Sequence, residues 1–486
     1  MTKTILVFLF FISFSTFAQE KSFDKFLFDG YEDYQEATLS VRRVKHAQIQ
    51  PLINGVRTNS DFQITKLGQS IEGRDISMLS IGEGEIDILL WSQMHGDEPT
   101  ATLAIFDIIN FLSSSTELKK EKQQMLKMVR LHFIPMLNPD GAEQFKRRNA
   151  LDIDINRDAL RLQSPEGRIL KSVRDSLDAE FGFNLHDQSK YYNAERTDKP
   201  ATISYLAPAY NYEKEVNDIR GNAMKIIILM NNILQKYAPG QVGRYSDDFE
   251  PRAFGDNIQK WGTSAILIES GGYPKDPEKQ FIRKLNYMSL LSAIFSISDG
   301  SYANISIDEY QNIPNNDRKI FDLKIENLTY NLFGKDYILD VGIFLYENDN
   351  DAHDDFHYVG KVAELGDLST FYGYQTVDAS GLKFAPDKVY PNKINSEQAL
   401  SKMDLAKLLS QGFTTVQLKS IESERKHSMH PINLVKSKKS LNTELKLGVD
   451  ASFLLMEGSQ IKHVIVNGFV FDPSKSNLGI ENGVVR

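Results

Sequence analysis

The pattern of hydrophobic and polar positions divides the chain into two parts. From about Phe23 to Ser298, apolar runs of strand length alternate with longer stretches in which apolar residues recur at helical spacing. This alternation predicts an α/β layer fold, in which helices cover the faces of a sheet. After Gly300, short apolar runs are separated by polar turns, which predicts a β-rich region of one or two modules.

Individual elements can be placed in both parts. The predicted strands cover residues 86–91, 129–135, 181–185 and 265–269, and then 337–346, 413–418 and 463–471. The predicted helices cover residues 100–112, 213–237 and 396–410. Residues 312–317 are the best linker candidate, and the boundary between the parts is expected between about residues 298 and 320.

The first residues have the features of a secretory signal peptide. Lys3 precedes an apolar run over residues 5–14, and residues 16–18 resemble a small-residue cleavage site. We therefore predict a signal peptide over residues 1–18 and an exported, soluble protein, periplasmic or secreted, with no stable membrane insertion after cleavage. An uncleaved N-terminal anchor is the alternative.

Composition narrows the chemistry that the chain can perform. The 486 residues include no cysteine, so disulfides and thiolate ligands are excluded, and any metal must be bound by His, Asp or Glu. The formal net charge is −9 and there is no long basic tract, so nucleic acid is not expected as a partner.

Residues with ligand-type side chains lie near the predicted ends of several strands. His95 and Glu98 shortly follow one strand, and His186 follows another. Two histidines, one carboxylate and a water form a common zinc site in hydrolases, and a shared sheet edge would bring these residues together. Glu269 ends a further strand and is either a salt-bridge partner or a general base. Asp187 either forms a hydrogen bond that supports a metal ligand or is solvated. The spacing of His95 and Glu98 alone is also typical of a packed histidine and a solvated glutamate.

Further polar groups lie between these residues along the chain. Residues 138–141 read Asn-Pro-Asp-Gly, which alone is a turn sequence. Arg147 and Arg148, and then Asn156 and Arg157, form a candidate carboxylate-binding set, because a guanidinium binds a carboxylate through two parallel hydrogen bonds. Each arginine alone is also typical of a solvated surface cation.

In their order and spacing, these motifs resemble the metallocarboxypeptidase family, the carboxypeptidase A-like zinc peptidases called funnelins, over about residues 30–298. The resemblance implies that one zinc ion is held by His95, Glu98 and His186, and that Glu269 is the general base. It also implies the following roles: Arg147 polarises the scissile carbonyl, with Arg148 as the fallback; Asn156 and Arg157 bind the substrate C-terminal carboxylate; Asp154 orients a zinc-ligating histidine.

Two departures from the family pattern affect the expected specificity. The family usually has Asn-Arg-Asn where this chain has Asn156, Arg157 and Asp158, and the added negative charge would weaken capture of a carboxylate unless it is paired. The mobile tyrosine that closes over the substrate in digestive members has no secure match. Tyr245 is the candidate for it, and Arg252 is a further candidate substrate anchor.

These features predict an exported zinc-dependent peptidase that acts on peptides or cell-wall peptide stems. A zinc-dependent amide hydrolase that deacylates small substrates, and a non-catalytic binding protein, are the alternatives. The expected fold is a three-layer α/β/α catalytic domain over residues 19–300, with a mixed, mostly parallel, doubly wound sheet, followed by a smaller β-rich accessory region over residues 315–486.

Two pairs of histidines in the second part also carry ligand-type side chains. His353 and His357 stand among acidic residues, and His427 and His430 form another close pair. Neither pair has a third ligand of its own at a convincing strand end, so we predict that both lie in solvated loops.

Overall fold

The computed structural model describes residues 22–115, 118–421, 426–436, 444–475 and 478–486. The predicted signal peptide at residues 1–18 lies outside the described residues and stays a prediction. Across the described ranges, no helix combines the length and the apolar character needed to cross a bilayer.

The first part of the chain contains alternating helices and strands, as the sequence predicts. The α-helices are α1 (Phe23–Asp29), α2 (His46–Val56), α3 (Thr100–Ser113), α4 (Lys119–Met128), α5 (Pro139–Glu143), α6 (Pro165–Leu177), α7 (Asp218–Leu234), α8 (Phe254–Lys260) and α9 (Gln280–Asp299). The strands are β1 (Phe62–Gln69), β2 (Asp75–Ile81), β3 (Ile86–Ser92), β4 (Val129–Ile134), β5 (Phe181–Asp187), β6 (Asn193–Ala194), β7 (Ile203–Leu206), β8 (Val242–Arg244) and β9 (Ser264–Ser270). The helix predicted from residue 213 begins at Asp218, because the Asn217 side chain accepts a hydrogen bond from the amide of Arg220 and caps it there.

Eight of these strands form one sheet in the order β1-β2-β4-β3-β5-β9-β7-β8. Strands β4, β3, β5 and β9 run parallel to one another and β7 is parallel to β8, whereas the pairings β1–β2, β2–β4 and β9–β7 are antiparallel. Alternate residues of β3 point into different cores: Ile88 and Leu90 pack on the side of α3, α7 and α9, and Leu89 and Trp91 on the side of α6 and α8. The expected three-layer α/β/α fold with a mixed, mostly parallel sheet is confirmed.

The second part of the chain is rich in strands. They are β10 (Asn316–Asp317), β11 (Ile320–Leu332), β12 (Lys335–Asp349), β13 (Phe356–Gly366), β14 (Tyr372–Asp378), β15 (Lys383–Pro386), β16 (Lys388–Val389), β17 (Phe413–Gln417), β18 (His427–Ser428), β19 (Asn433–Val435), β20 (Phe453–Glu457), β21 (Gln460–Val466), β22 (Phe469–Phe471) and β23 (Gly483–Val484). The largest sheet here has the order β13-β12-β11-β15-β20-β21-β22, with β14 also paired to β11. This region confirms the predicted β-rich C-terminal part.

Two predicted elements of this region are wrong in detail. The helix predicted over residues 396–410 is two short helices, α10 (Glu397–Leu400) and α11 (Leu405–Ser410), because Ser396 and Asp404 each cap a separate helix start. The strand predicted over residues 463–471 is a hairpin of β21 and β22. Asn467 and Gly468 both have positive φ, of 50° and 83°, as the two central residues of a tight hairpin turn require.

The linker candidate packs on the first part of the chain. Tyr310 is buried, and its hydroxyl accepts a hydrogen bond of 3.0 Å from the amide of Ala207. Strand β10 pairs antiparallel with β6. The residues between Asp299 and Ile320 therefore attach to the α/β layers rather than forming a free connection, and the division at residues 300 and 315 stays a prediction.

Candidate metal centre

Three ligand-type side chains meet at one edge of the first sheet. His95, Glu98 and His186 each offer a donor atom, and these atoms all lie within 4.8 Å of one another. His95 Nδ1 lies 2.9 Å from Glu98 Oε1, and His186 Nδ1 lies 2.6 Å from Glu98 Oε2. All three residues are buried. The structure thus brings together the three predicted zinc ligands, two from the loop between β3 and α3 and one from β5.

The loop that carries His95 and Glu98 is held against the Asn-Pro-Asp-Gly turn. A Cβ atom on Gly96 would lie 2.0 Å from the carbonyl carbon of Gly141, so only glycine allows the two backbones this approach. The Asn138 side chain accepts a hydrogen bond from the amide of Gly141, and the buried Asp140 carboxylate accepts one from the Ser70 hydroxyl at 2.7 Å. The turn sequence therefore supports the ligand loop.

Asp154 fixes which nitrogen of His95 faces the other ligands. His95 Nε2 lies 3.1 Å from Asp154 Oδ1, which leaves Nδ1 directed at Glu98 and His186. Metal-binding histidines usually have such a carboxylate behind the ring, and two histidines with one carboxylate are a common donor set for zinc in hydrolases. The donor set therefore fits a zinc ion. His186 Nε2 differs, since it is buried and has no hydrogen-bond partner among the described residues.

The charges of the ligand residues are strongly coupled to each other. Burial lowers the pKa of His95, but the negative charge of Glu98 and the hydrogen bond to Asp154 outweigh it and raise the pKa to about 9. Burial raises the pKa of Glu98, yet the two histidines bring it well below its usual range. For His186, burial dominates and lowers the pKa, so the neutral, ligating form is favoured.

Glu269 lies beside this cluster on the neighbouring strand. It is the direct partner of His186 in the parallel pairing of β5 with β9. Burial raises its pKa well above the usual value, and the negative charge of Glu98 adds to this effect. Within the described ranges the Glu269 carboxylate has no hydrogen bond or ion pair, which favours the general-base interpretation over the salt-bridge one, and its role stays a prediction. A carboxylate in this position is suited to exchange a proton.

The zinc carboxypeptidase family model matches residues 52–168 of the chain. The resemblance to the zinc carboxypeptidases is confirmed. Carboxypeptidase SOL1 of Arabidopsis thaliana is 28% identical over 185 residues, which cover 32% of this chain and 37% of that protein. Carboxypeptidase M of Mus musculus is 26% identical over 139 residues, which cover 25% of this chain and 31% of that protein. The chain thus spans about a third of the length of each of these relatives.

Among solved structures, a metallo-carboxypeptidase from Burkholderia cenocepacia has a TM-score of 0.43 and 15% identity to this chain. That comparison covers 53% of this chain and 69% of the other.

Arg147 contacts two of the three predicted ligands. Its Nη1 atom lies 3.2 Å from Glu98 Oε1 and 3.0 Å from His95 Nδ1, and its Nε donates to Asp154 at 3.1 Å. Arg148 points elsewhere, since its guanidinium donates to the carbonyl of Asp152 and contacts none of the three ligands in the described residues. The geometry therefore favours Arg147 over Arg148 as the candidate for polarising the scissile carbonyl.

The predicted carboxylate-binding residues lie together, but a glutamate accompanies them. The Asn156 side-chain oxygen accepts a hydrogen bond from the amide of Phe254, which fixes the start of α8 beside Arg157. Glu250 lies 3.6 Å from Arg157 Nε and forms two bonds of 3.0 Å to Arg252. Sequence reasoning missed Glu250. The only feature of the sequence that pointed to this ion pair is that Glu250 stands two residues before Arg252.

Tyr245 lies near the general-base candidate. Its ring centroid is 6.0 Å from that of Tyr192 in an edge contact. Burial raises the pKa of Tyr245, and the negative charge of Glu269 raises it further. Its predicted role in closing over a substrate stays a prediction.

The Asp158 carboxylate is paired by hydrogen bonds. It is buried and accepts hydrogen bonds from the amides of Gln163 and Ser164, at 2.8 and 2.7 Å, and from the Ser164 hydroxyl. Ser164 in turn caps α6. The extra negative charge is therefore paired within the loop before this helix, where the helix dipole also favours it.

The Asp187 side chain is not solvated, and among the described residues it bonds to none of the three predicted zinc ligands. Its carboxylate forms a buried ion pair of 2.9 Å with Lys279 and accepts a bond of 2.6 Å from Thr100. Its backbone amide donates to Glu98 Oε2 at 3.3 Å. Lys279, which sequence reasoning missed, precedes α9 with positive φ. A lysine at a helix N-terminus is unfavourable with respect to the helix dipole. This unfavourable position is the feature of the sequence that could have indicated a buried acidic partner for Lys279.

Among the described residues, the histidines of the second part belong to no group of three converging metal-ligand side chains. Within the described residues, His95, Glu98 and His186 are the only group of three ligand-type residues that converges. The solvated-loop prediction is wrong for His357, which lies buried on β13 with its ring stacked on His427 at 4.3 Å. Burial lowers the pKa of His357 to about 4, and His427 adds to the effect. His353 lies near Asp349, and His430 near Glu397.

Proposed function

We propose that this chain is an exported zinc-dependent peptidase that removes C-terminal residues from peptides or cell-wall peptide stems. The observation that carries the proposal is the convergence of His95, Glu98 and His186 next to Glu269, whose carboxylate has no partner among the described residues. A zinc ion bound by these ligands would supply electrophilic activation of water and of the scissile carbonyl. A binding protein would have no use for Glu269, which disfavours the non-catalytic alternative.

In this proposal each protein residue has a separate task. Glu269 accepts the proton of the attacking water and passes it to the leaving amine. Arg147 places its guanidinium against the carbonyl oxygen, where negative charge develops in the transition state. Asn156 and Arg157 bind the free carboxylate of the substrate, with Arg252 as a further anchor, and Tyr245 covers the bound residue.

The test combines metal analysis with product analysis on the full chain. We expect about one zinc per chain and the release of single C-terminal residues from peptides with a free carboxylate, detected by mass spectrometry. The matched substrates are the same peptides with amidated C-termini, which should be cleaved much more slowly. Cleavage that ignores the C-terminus, or release of an acyl acid from small acylated substrates, would assign the chain to the deacylase alternative.

Glu250 pairs with Arg157 and Arg252, so a substrate carboxylate must compete with the Glu250 carboxylate for them. This competition is the reason to keep the deacylase alternative. Both arginines are well exposed, at 36% for Arg157 and 58% for Arg252, and exposed ion pairs are worth roughly 0.2–1 kcal/mol. We therefore expect Glu250→Gln to lower KM about two- to fivefold for peptides with a free C-terminus. Steady-state kinetics on free and amidated peptides checks this. An unchanged KM for the free peptides would argue against carboxylate binding at Arg157.

A further inference from the structure

An aromatic residue with an unusual backbone conformation stands in the turn that carries Arg147. Phe145 stands two residues before Arg147 and has a positive φ of 45°. This left-handed backbone is uncommon for an aromatic residue, so the surrounding contacts, those of its ring among them, have to stabilise the turn. The adjoining end of α5 is also held, because Glu143 accepts a hydrogen bond from the amide of His46 at 2.9 Å.

The ring of Phe145 is covered by a buried arginine. The guanidinium carbon of Arg43 lies 4.2 Å from the ring centroid of Phe145 and 4.2 Å from that of Phe356, so both rings stack against one cation. Only 3% of the Arg43 side chain is exposed. Its Nη1 atom has no hydrogen-bond partner among the residues that the structure describes. Desolvated cation–π contacts of this kind are stronger than exposed ones.

The residues that contact Arg43 from the other side belong to the second sheet. Phe356 and Asp349 are partners at the end of the hairpin formed by β12 and β13. Asp349 accepts a hydrogen bond of 2.8 Å from Arg43, and Glu347 of the same strand pairs with both Arg42 and Arg43. The end of this hairpin therefore contacts Arg43 by charge and by ring stacking, and Arg43 contacts the turn beside the metal ligands.

We propose that the β12–β13 hairpin, acting through Arg43 and Phe145, positions Arg147 against the scissile carbonyl. This inference rests on the proposed function, in which Arg147 stabilises charge in the transition state. The second sheet is then needed for full turnover, and Phe356, Arg43 and Phe145 are positioning residues that touch neither substrate nor metal.

The first test changes the ring that the hairpin supplies. In the full chain, Phe356→Ala is expected to lower kcat about tenfold or more and to change KM less than twofold, because small misplacements of a catalytic group cost up to about a hundredfold in rate. Phe356→Tyr keeps the aromatic face and should retain the rate. The control is Phe384→Ala, which removes a ring from β15 that packs on Tyr330 and Phe453.

A double-mutant cycle separates positioning from general destabilisation. If the hairpin acts through Arg147, then adding Phe356→Ala to Arg147→Ala should lower kcat by less than twofold. An equal loss in both backgrounds would overturn the inference and leave the proposed function intact. Arg43→Lys keeps the charge but loses the planar stack, so it should reproduce the loss if Phe356→Ala proves unstable.

A second readout does not depend on activity. Residues 146–148 are Lys-Arg-Arg, so trypsin reports directly on the mobility of this turn. We expect cleavage there to be severalfold faster in Phe356→Ala than in the wild type or in Phe384→Ala, measured by mass spectrometry of the first fragments. Unchanged cleavage would overturn the inference even if the chain has no peptidase activity.

Discussion

Glu269→Gln is expected to lower the turnover of peptide substrates by about 10²–10⁴-fold, the usual contribution of a general acid–base group. Glutamine has nearly the same shape as glutamate but cannot accept the proton of the attacking water. The residue is not one of the three ligands, which come from the β3–α3 loop and from β5. The zinc content of the variant should therefore equal that of the wild type, measured by atomic emission on the purified chain.

The matched control is Glu180→Gln, at the opposite end of the same strands. Glu180 is exposed, and its carboxylate accepts a hydrogen bond of 2.8 Å from the amide of Asp87, which glutamine can also satisfy. This variant should keep wild-type kcat and zinc content. Undiminished turnover in Glu269→Gln would remove Glu269 from the role of base. Loss of zinc together with turnover would mean that the residue supports the ligands instead.

The elements that carry the ligands could be predicted from sequence because their signals are local. Strands β3, β5 and β9 are short apolar runs with polar residues at their ends, and parallel strands place their carboxyl ends at one edge. His186 and Glu269 then become direct partners through the register of β5 and β9. No local signal, however, fixes which sheet face or loop conformation brings His95 towards them.

The groups that sequence reasoning missed depend on contacts between distant residues. Lys279 meets Asp187 across 92 positions, and Arg43 meets Asp349 across 306. Such pairs are set by the packing of whole elements, so a charged residue in the sequence looks the same whether it is buried with a partner or solvated. The same reason made Asp158 look like an unpaired charge beside Arg157, although loop amides bind it.

The prediction that separates the two neighbouring arginines is Arg147→Ala. Loss of one group that stabilises developing negative charge costs about 10²–10³ in kcat, or roughly 3–4 kcal/mol, and we expect a loss of this size. Arg147 is 42% exposed, and alanine removes only its side-chain bonds to His95, Glu98 and Asp154, so the free energy of unfolding should change little. Because Asp154 still bonds to His95, zinc should remain bound.

Arg148→Ala provides the internal comparison, since it removes the same side chain one position later, where the guanidinium meets the carbonyl of Asp152. We expect wild-type kcat for this variant and a severe loss for Arg147→Ala, measured on one peptide with a free C-terminus. A loss confined to Arg148→Ala would transfer the role to that residue. If both variants keep the wild-type rate, carbonyl polarisation does not come from this turn, and the task falls to the metal site alone.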